Sequence, residues 1–341
     1  MVPKEAKNLV SKCIFCGANQ AIELYNVFDT RFGIKDKYKI GRCASCETEQ
    51  ILPLPPIKQL KELYETFYNF GGEKGTAYTG FRESFFSSVL YPFWLIVDGD
   101  VSFHMQKGSG RLLDMGCNEG RGLSIYQKHG FEAEGLELNE QAAAEAKRRG
   151  FSVHTESLER FYPKELYDVV VLSNVLEHSL DPKNMLYHAH RILKPGGHLW
   201  ISCPNNQSWL RRVFGRYWIN WHVPFHVVHF SKNSLSKILV GEHFRIVTIQ
   251  QKTPAIWAAH SLISFLFAKP GQPTKSLRNP LVIAFLIFFI RIFLFPAIWL
   301  GNWLGHGDCI VLKAMKIKVS IKCCLDVVHI GLLGTTGMAL F

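Results

Sequence analysis

Two pairs of cysteines open the chain. Cys13 and Cys16 are separated by two residues, Cys43 and Cys46 likewise, and 26 residues lie between the pairs. Four thiolates on two tight turns reach the corners of a tetrahedron at about 2.3 Å from a zinc ion, and four protein ligands leave no position for water. The spacing therefore predicts a zinc-ribbon head whose metal is structural. Disulfides are the alternative. The leading MVPKEAKNLVSKC lacks the apolar run and cleavage site of a secretory signal, so the expected compartment is the reducing cytoplasm, where disulfides are rare. Cys117, Cys203, Cys309, Cys323 and Cys324 have no such spacing and are expected to be buried.

A second chemical signal is LLDMGCNEGRGL, residues 112–123. Gly116 and Gly120 allow a backbone to turn and to approach a ligand, and Asn118 is the next most tolerant residue where a positive φ is needed. Asp114 ends the preceding apolar run and directs a carboxylate into that turn. Roughly twenty residues on, Glu137 is placed to accept hydrogen bonds from ribose hydroxyls. A nucleoside ligand follows. GxGxxG is absent and Asp114 would repel a pyrophosphate, so the loop suits a cationic nucleoside better than a dinucleotide.

These residues need a frame that brings them together. RLLDM, FEAEGLEL, FSVHT, YDVVVLS and GGHLWISC read as strands, and LSIYQKHG, EQAAAEAKRRG and PKNMLYHAHRILK as helices between them. Such alternation predicts an α/β Rossmann-like fold with a mostly parallel sheet covered by helices on both faces. Ligands bind such a sheet at the carboxyl ends of its strands. Before it, the proline-rich ILPLPP reads as a stiff exit from the head. Ile57, Leu60, Leu63, Tyr64 and Phe67 then recur at helical spacing. The aromatic stretch 81–105, with Phe85, Phe86, Tyr91, Phe93 and Trp94, is expected to form further cap helix.

LLDMGCNEG, GLEL, YDVVVLSNVLEH and ILKPGGHLWISCPN, taken together over residues 110–250, resemble the class I S-adenosylmethionine-dependent methyltransferases. The CxxC-CxxC head is similar to that of bacterial small-molecule and sugar methyltransferases. The resemblance implies a seven-stranded sheet whose last strand, in GHGDCIVLKAMK, enters antiparallel. It assigns Asp114, Gly116, Asn118 and Gly120 to the amino-acid end of the cofactor and Glu137 to its ribose. Ser157 and Leu158 fall in the region that contacts adenine, and Asn174 lines the crevice. Asn118 departs from the family's more usual glycine.

A sulfonium methyl is already a strong electrophile, so the protein's task is to align a nucleophile and, where needed, remove its proton. His226, in WHVPFHVVHFS, and His178, in NVLEHSLDP, are the candidate bases, with Glu177 beside the latter. Packing among the aromatics is the other reading of His222, His226 and His229. No NPPY-like run follows the fourth strand, which argues against DNA adenine or protein glutamine methylation. The loop 204–231 carries Arg211, Arg212 and Arg216 among Trp209, Tyr217, Trp218 and Trp221. Aromatic faces and arginines of this kind fit a phosphosugar or a nucleotide-linked sugar, and could also serve RNA bases.

The chain has 341 residues, 48% of them hydrophobic, and a formal net charge of +11. It is long enough for a large core, and its charge favours an anionic partner. PLVIAFLIFFIRIFLFPAIWLGNWL, residues 280–304, reaches spanning length, but Arg291 in its middle costs about 2.5–3.5 kcal/mol in a bilayer and Pro296 interrupts it. With the shorter apolar run 255–268, it predicts a re-entrant or interfacial hairpin flanked by Lys269, Lys275, Arg278 and Lys313. A buried cap or a dimer interface is the alternative. The organisation expected is a head (1–55), linker and cap helices (56–109), a core (110–253), an apolar insertion (254–305), the last strand (306–318) and a tail of no assigned role (319–341). The expected protein is a methyltransferase on the inner face of a membrane, acting on a sugar or lipid-linked glycan or other small molecule. A soluble enzyme acting on RNA or a free metabolite, and a non-catalytic membrane-bound zinc module, are the alternatives. Nucleic acid is the least favoured partner.

Overall fold

The computed structural model describes residues 12–18, 21–67 and 88–317. Phe85, Phe86, Cys323, Cys324 and the tail lie outside them. The head is built from β1 (Ala21–Phe28), β2 (Lys37–Cys43) and β3 (Glu49–Leu52), all antiparallel. Each cysteine pair sits on a turn of the same build. Gly17 (φ +71°) and Glu47 (φ +61°) adopt left-handed backbone, and their N–H groups donate back to the carbonyls of Cys13 (2.9 Å) and Cys43 (3.0 Å). That geometry turns both thiols of a pair to one side. Helix α1 (Ile57–Phe67) follows the proline exit, and α2 (Leu90–Asp98) lies ahead of the core.

The core runs β4 (Arg111–Met115), α3 (Arg121–Lys128), β5 (Glu132–Leu136), α4 (Glu140–Arg148), β6 (Val153–His154), β7 (Tyr167–Ser173), α5 (Pro182–Ile192) and β8 (Leu193–Pro204). Leu112, Leu113, Val170, Val171, Leu172, Leu199 and Ile201 are all fully buried, as central parallel strands covered on both faces require. Helix α4 shows the local logic. Asn139 caps its first turn by accepting from the Ala142 N–H at 2.9 Å, and Ala142, Ala143 and Ala146 put small side chains against the sheet.

After β8 come α6 (Trp209–Phe214), the short β9 (Val228–His229), α7 (Lys232–Gly241) and β10 (Phe244–Lys252). Next are α8 (Ala255–Phe267), α9 (Pro280–Phe293), α10 (Phe295–Trp303) and β11 (Cys309–Lys316). The main sheet has seven strands in the order β10-β11-β8-β7-β4-β5-β6. β11 is antiparallel to both of its neighbours, and the pairings from β8 to β6 are parallel. The expected fold is therefore the observed one. The chain leaves β4 toward β5 and β6 and returns on its other side as β7, so the switch point falls beside the glycine loop.

The head is not an appended bead. β9, from the long loop of the core, pairs with β3 as the fourth strand of the head's sheet, with Glu49 opposite His229. Arg211 is buried between the two, paired with Glu49 at 2.9 Å and stacked over Tyr25 and Trp221. Of the loop residues expected to meet a phosphosugar, Arg211 is a buried clamp and Trp218 and Trp221 are core residues, while Arg212 and Arg216 are exposed.

The apolar insertion also differs from a simple span. Among the described residues no single helix is long and apolar enough to cross a membrane; α9 and α10 would do so only as a pair bent by 71°. Arg291 does not face outward. It pairs with Asp98 of α2, and Asp98 also accepts the Ala255 N–H at 2.8 Å. Ile283, Ile290 and Ile298 turn inward with it, while Leu281, Phe285, Phe288, Ile292, Trp299 and Trp303 are exposed. Lys313 lies mid-strand in β11, opposite Trp200, and Lys269 is exposed just beyond α8.

Candidate active site

The glycine loop joins the carboxyl end of β4 to α3. Gly116 has φ +71°, and its N–H donates to the Leu136 carbonyl at 2.7 Å. A Cβ there would come within 2.8 Å of Val175 Cγ2, and a Cβ on Gly120, also left-handed, within 2.7 Å of Phe151. Larger residues are excluded at both positions by shape as well as by torsion. Asn118 has φ +54°, so the asparagine occupies the left-handed position that glycine would take. Its N–H donates to Glu137 Oε2 at 3.0 Å, while Oε1 accepts from Asn139 N–H at 2.8 Å. Each of these oxygens keeps a second lone pair for a hydroxyl.

Asp114 is 7% exposed at the strand end. Burial, reinforced by the charge of Glu137, pushes its carboxyl up to about 8, and Glu137 is itself raised by burial. Two acids at the ends of neighbouring strands, pushed up by burial, make a site that a positively charged ligand would relieve. Of the residues assigned to adenine, Ser157 is half-buried in a turn whose carbonyl accepts from Arg160 and Phe161 N–H. Leu158 packs in the hydrophobic core. Asn174 is left-handed (φ +54°), donates its backbone N–H to the Ser202 carbonyl at 2.9 Å, and has a buried side-chain oxygen without a hydrogen-bond partner among the described residues.

The two candidate histidines meet. His178 ends a 3-10 turn, Leu176–His178, after β7, and His226 comes from the loop before β9; their rings lie edge to face at 4.6 Å. Glu177 completes the group, with one donor atom from each of the three within 4.8 Å of the others. His178 Nδ1 lies 3.0 Å from the Phe225 carbonyl and 2.8 Å from the Tyr64 hydroxyl of α1. His226 Nδ1 lies 2.9 Å from the Asn220 carbonyl. Burial lowers His178 to about 4 and His226 well below its ordinary value, so both imidazoles are neutral near pH 7. Burial pushes Glu177 up to about 8. Val175, two residues before Glu177, is the side chain that Gly116 approaches, so this cluster adjoins the glycine loop.

Asp308, missed from sequence, organises the surroundings. It is fully buried and accepts from Ser208 Oγ, from Trp218 Nε1 at 2.8 Å and from Asn220 Nδ2 at 2.9 Å. Asn220 is the residue whose carbonyl holds His226. The signal was a lone acid at the start of an apolar strand, legible only once its partners 88 to 100 residues away are known.

In the head, Cys13, Cys16, Cys43 and Cys46 bring their sulfurs within 4.8 Å of one another, with Cys13 to Cys46 and Cys16 to Cys43 both at 3.5 Å. The corners of a tetrahedral zinc site lie roughly 3.7 Å apart for metal–sulfur bonds of about 2.3 Å, so the four thiols fit that ion.

Residues 100–249 match the family model described as a methyltransferase domain. Residues 100–249 are thus a methyltransferase domain. Over 139 residues it is 29% identical to the ubiquinone biosynthesis O-methyltransferase of Photorhabdus laumondii, covering 36% of this chain and 58% of that protein. The protein of the same name from Salmonella arizonae is 31% identical over 124 residues, 33% of this chain and 51% of that one. The chain thus spans between half and three-fifths of the length of these curated relatives. A 1,6-didemethyltoxoflavin-N1-methyltransferase from Burkholderia thailandensis, solved with S-adenosylhomocysteine, aligns at a TM-score of 0.43 and 15% identity, covering 87% of this chain and 100% of that one. The family's cofactor is S-adenosylmethionine, and the residues fit it: Asp114 and Glu137 supply negative charge and ribose acceptors, and the shape-restricted glycine loop leaves room for close approach.

Proposed function

We propose that this methyltransferase transfers a methyl group to a hydroxyl of a lipid-linked acceptor, a saccharide or another small molecule, while its apolar hairpin rests on the cytoplasmic surface of a membrane. S-adenosylmethionine supplies the methyl as an electrophile on sulfur. Asp114 and the 116–120 loop hold its charged end, Glu137 its ribose, and Asn174 lines the crevice. The acceptor oxygen is oriented and its proton drawn off at Glu177, His178 and His226. As the new oxygen–carbon bond forms, the sulfur–carbon bond breaks and its electron pair stays on sulfur. The four cysteines hold a structural zinc that keeps the head folded over the loop bearing His222, His226 and His229.

The observation that carries the membrane half of this reading is the outward face of the hairpin. Leu281, Phe285, Phe288, Ile292, Trp299 and Trp303 are 52–79% exposed, a contiguous apolar face of a kind rare on a protein that meets only water. The hairpin starts at the end of β10, which lies at the same edge of the sheet as the ends of β4 and β7, so a bilayer under it brings a lipid-borne group to the catalytic edge. The hydroxyl acceptor draws support from the O-methyltransferase relatives.

The test is to incubate the purified full chain with methyl-labelled S-adenosylmethionine and cell extract, then to partition the products. Label in the lipid-extractable fraction is expected. Label confined to water-soluble products would overturn the membrane acceptor and leave the methyltransferase. No labelled product, together with no cofactor binding by calorimetry, would overturn the enzyme.

A further inference from the structure

Between the hairpin and the end of β10 lies a cavity of about 660 Å³, outside the cofactor loop and the histidine cluster. Four charged side chains line it: Asp98, Lys232, Lys252 and Arg291. Asp98 and Arg291 pair with each other. The two lysines are left as uncompensated positive charges, since neither has an ion-pair partner among the described residues. Lys252 is held in position by its stem. A Cβ on Gly99 would come within 2.8 Å of its Cγ, so the bare backbone after α2 lets the side chain lie across it. Two further polar atoms belong to lining residues and are buried without a hydrogen-bond partner among the described residues: Arg291 Nε, a donor, and Oε1 of the 7% exposed Gln251, an acceptor. Buried polar atoms in native proteins are met by a partner. A donor, an acceptor and two ammonium groups around one space fit an anion joined to a hydroxyl-bearing group. The rest of the lining includes Trp299 and Trp303, both more than half exposed.

We propose that this cavity binds the phosphate of a lipid-linked acceptor, with Lys232 and Lys252 on the phosphate oxygens, Gln251 on a hydroxyl of the group esterified to it, and Trp299 and Trp303 against the lipid chain. The assignment to the acceptor rests on the lipid-linked reading proposed above. Position supports it. Cys309 of β11 stands opposite both Lys252 and Pro204, and Ser202 of β8 opposite Ser173. The end of β10 is therefore on the same edge of the sheet as the end of β7, three strands away, or roughly 14 Å at the usual spacing of neighbouring strands. A short saccharide bridges that distance. A phosphate anchored here leaves sugar hydroxyls at Glu177, His178 and His226 while the lipid chain runs out along the exposed face of the hairpin. Bulk phospholipid is met by lysines on an open surface, whereas a recess with buried polar atoms suits one occupant.

Calorimetry on the unaltered full chain compares decyl phosphate, decyl glucoside and inorganic phosphate. Decyl phosphate alone carries both charge and chain, and it should bind at least about tenfold more tightly than either of the others. Lys232→Gln combined with Lys252→Gln should abolish that preference and leave the affinity for S-adenosylmethionine within about twofold, as distant sites do. Equal binding of the phosphate and the glucoside, or a preference that survives in the double variant, would overturn the phosphate site. Inorganic phosphate bound as tightly as decyl phosphate would overturn its lipid character. Methyl transfer in detergent extract, where no bilayer remains, separates the acceptor from bulk phospholipid. The double variant should need about tenfold more extract for half-maximal labelling of lipid, with the plateau rate unchanged. An unchanged half-saturation, with weakened binding to phosphatidylglycerol vesicles, would overturn the acceptor in favour of bulk phospholipid. If the unaltered chain labels no lipid at all, the acceptor assignment falls and the phosphate site, read by calorimetry, stands.

Discussion

The proposed cofactor half and the proposed acceptor half of this candidate site are built in opposite ways. Asp114, Gly116, Asn118, Gly120 and Glu137 fall within one β-α-β unit, and each is placed by a turn or strand end next to it in sequence. The acceptor half draws Tyr64 from α1, Glu177 and His178 from the end of β7, and Asn220, Phe225 and His226 from a loop held by Asp308 and by the head. Local construction makes the first half robust and recognisable. The second exists only when distant pieces are docked, so a substitution far from the chemistry should damage it selectively.

The sharpest way to break that contrast is at Glu49. Its side chain is fully buried against Arg211, and removing one partner of a buried pair leaves an uncompensated charge, at about 3–5 kcal/mol. Glu49→Ala should lower stability by that amount in denaturant titration, whereas Glu49→Leu with Arg211→Met should recover most of it. If the halves are built as argued, any folded Glu49→Ala protein keeps its affinity for S-adenosylmethionine and loses methyl transfer. An equal loss of both would show the halves to be one cooperative unit.

The same contrast explains what could be read from the sequence. The order of strands, the antiparallel last strand and the glycine loop were legible because hydrophobic alternation and turn chemistry are local. His178 and His226 could each be picked out as a candidate base, but their meeting with Glu177 depends on β9 crossing to β3, for which a two-residue strand gives no periodic signal. The role of Arg211 was not legible because an arginine among tryptophans reads the same whether it stacks on a sugar or bridges a buried acid. The partner of Arg291 was hidden for a related reason. Its partner, Asp98, lies 193 positions upstream in a different helix, and periodicity within the apolar run cannot reveal it.

A second prediction works on Asp114. In the ligand-free protein its carboxyl is pushed up to about 8 by burial, so the folded state binds that proton more tightly than the unfolded one. The contribution to stability is therefore greatest at low pH and declines as pH rises from about 4 toward 8. A sulfonium and an ammonium group favour the ionised carboxylate, which reverses the sign for the complex. Affinity should rise between pH 6.5 and 8, by at most about tenfold per unit, and level off above. Calorimetry in buffers of different ionisation enthalpy would read the released proton. Asp114→Ala should weaken binding by about 100-fold at pH 8.5, near the loss of one or two charge-assisted hydrogen bonds, and its pH profile should be flat. A slope that survives the substitution would assign the proton elsewhere, with Glu137 the next candidate.

The smallest effect is expected at Asn118, where the chain departs from the family's glycine. Its left-handed φ of +54° and the N–H held by Glu137 show that the loop has the glycine-like shape without the glycine. Asparagine tolerates that region at little cost, and glycine tolerates it at none. The stiffening of the unfolded chain by asparagine works in the other direction. Asn118→Gly should therefore change stability by less than about 1 kcal/mol and cofactor affinity by less than about threefold. Asn118→Val places a β-branched residue at positive φ, a genuine outlier, and should pull the N–H away from Glu137. Its effect should appear in cofactor affinity. A valine variant that bound the cofactor normally would mean that Glu137 is held by Asn139 alone, and that the loop's backbone takes no part in shaping the cofactor half.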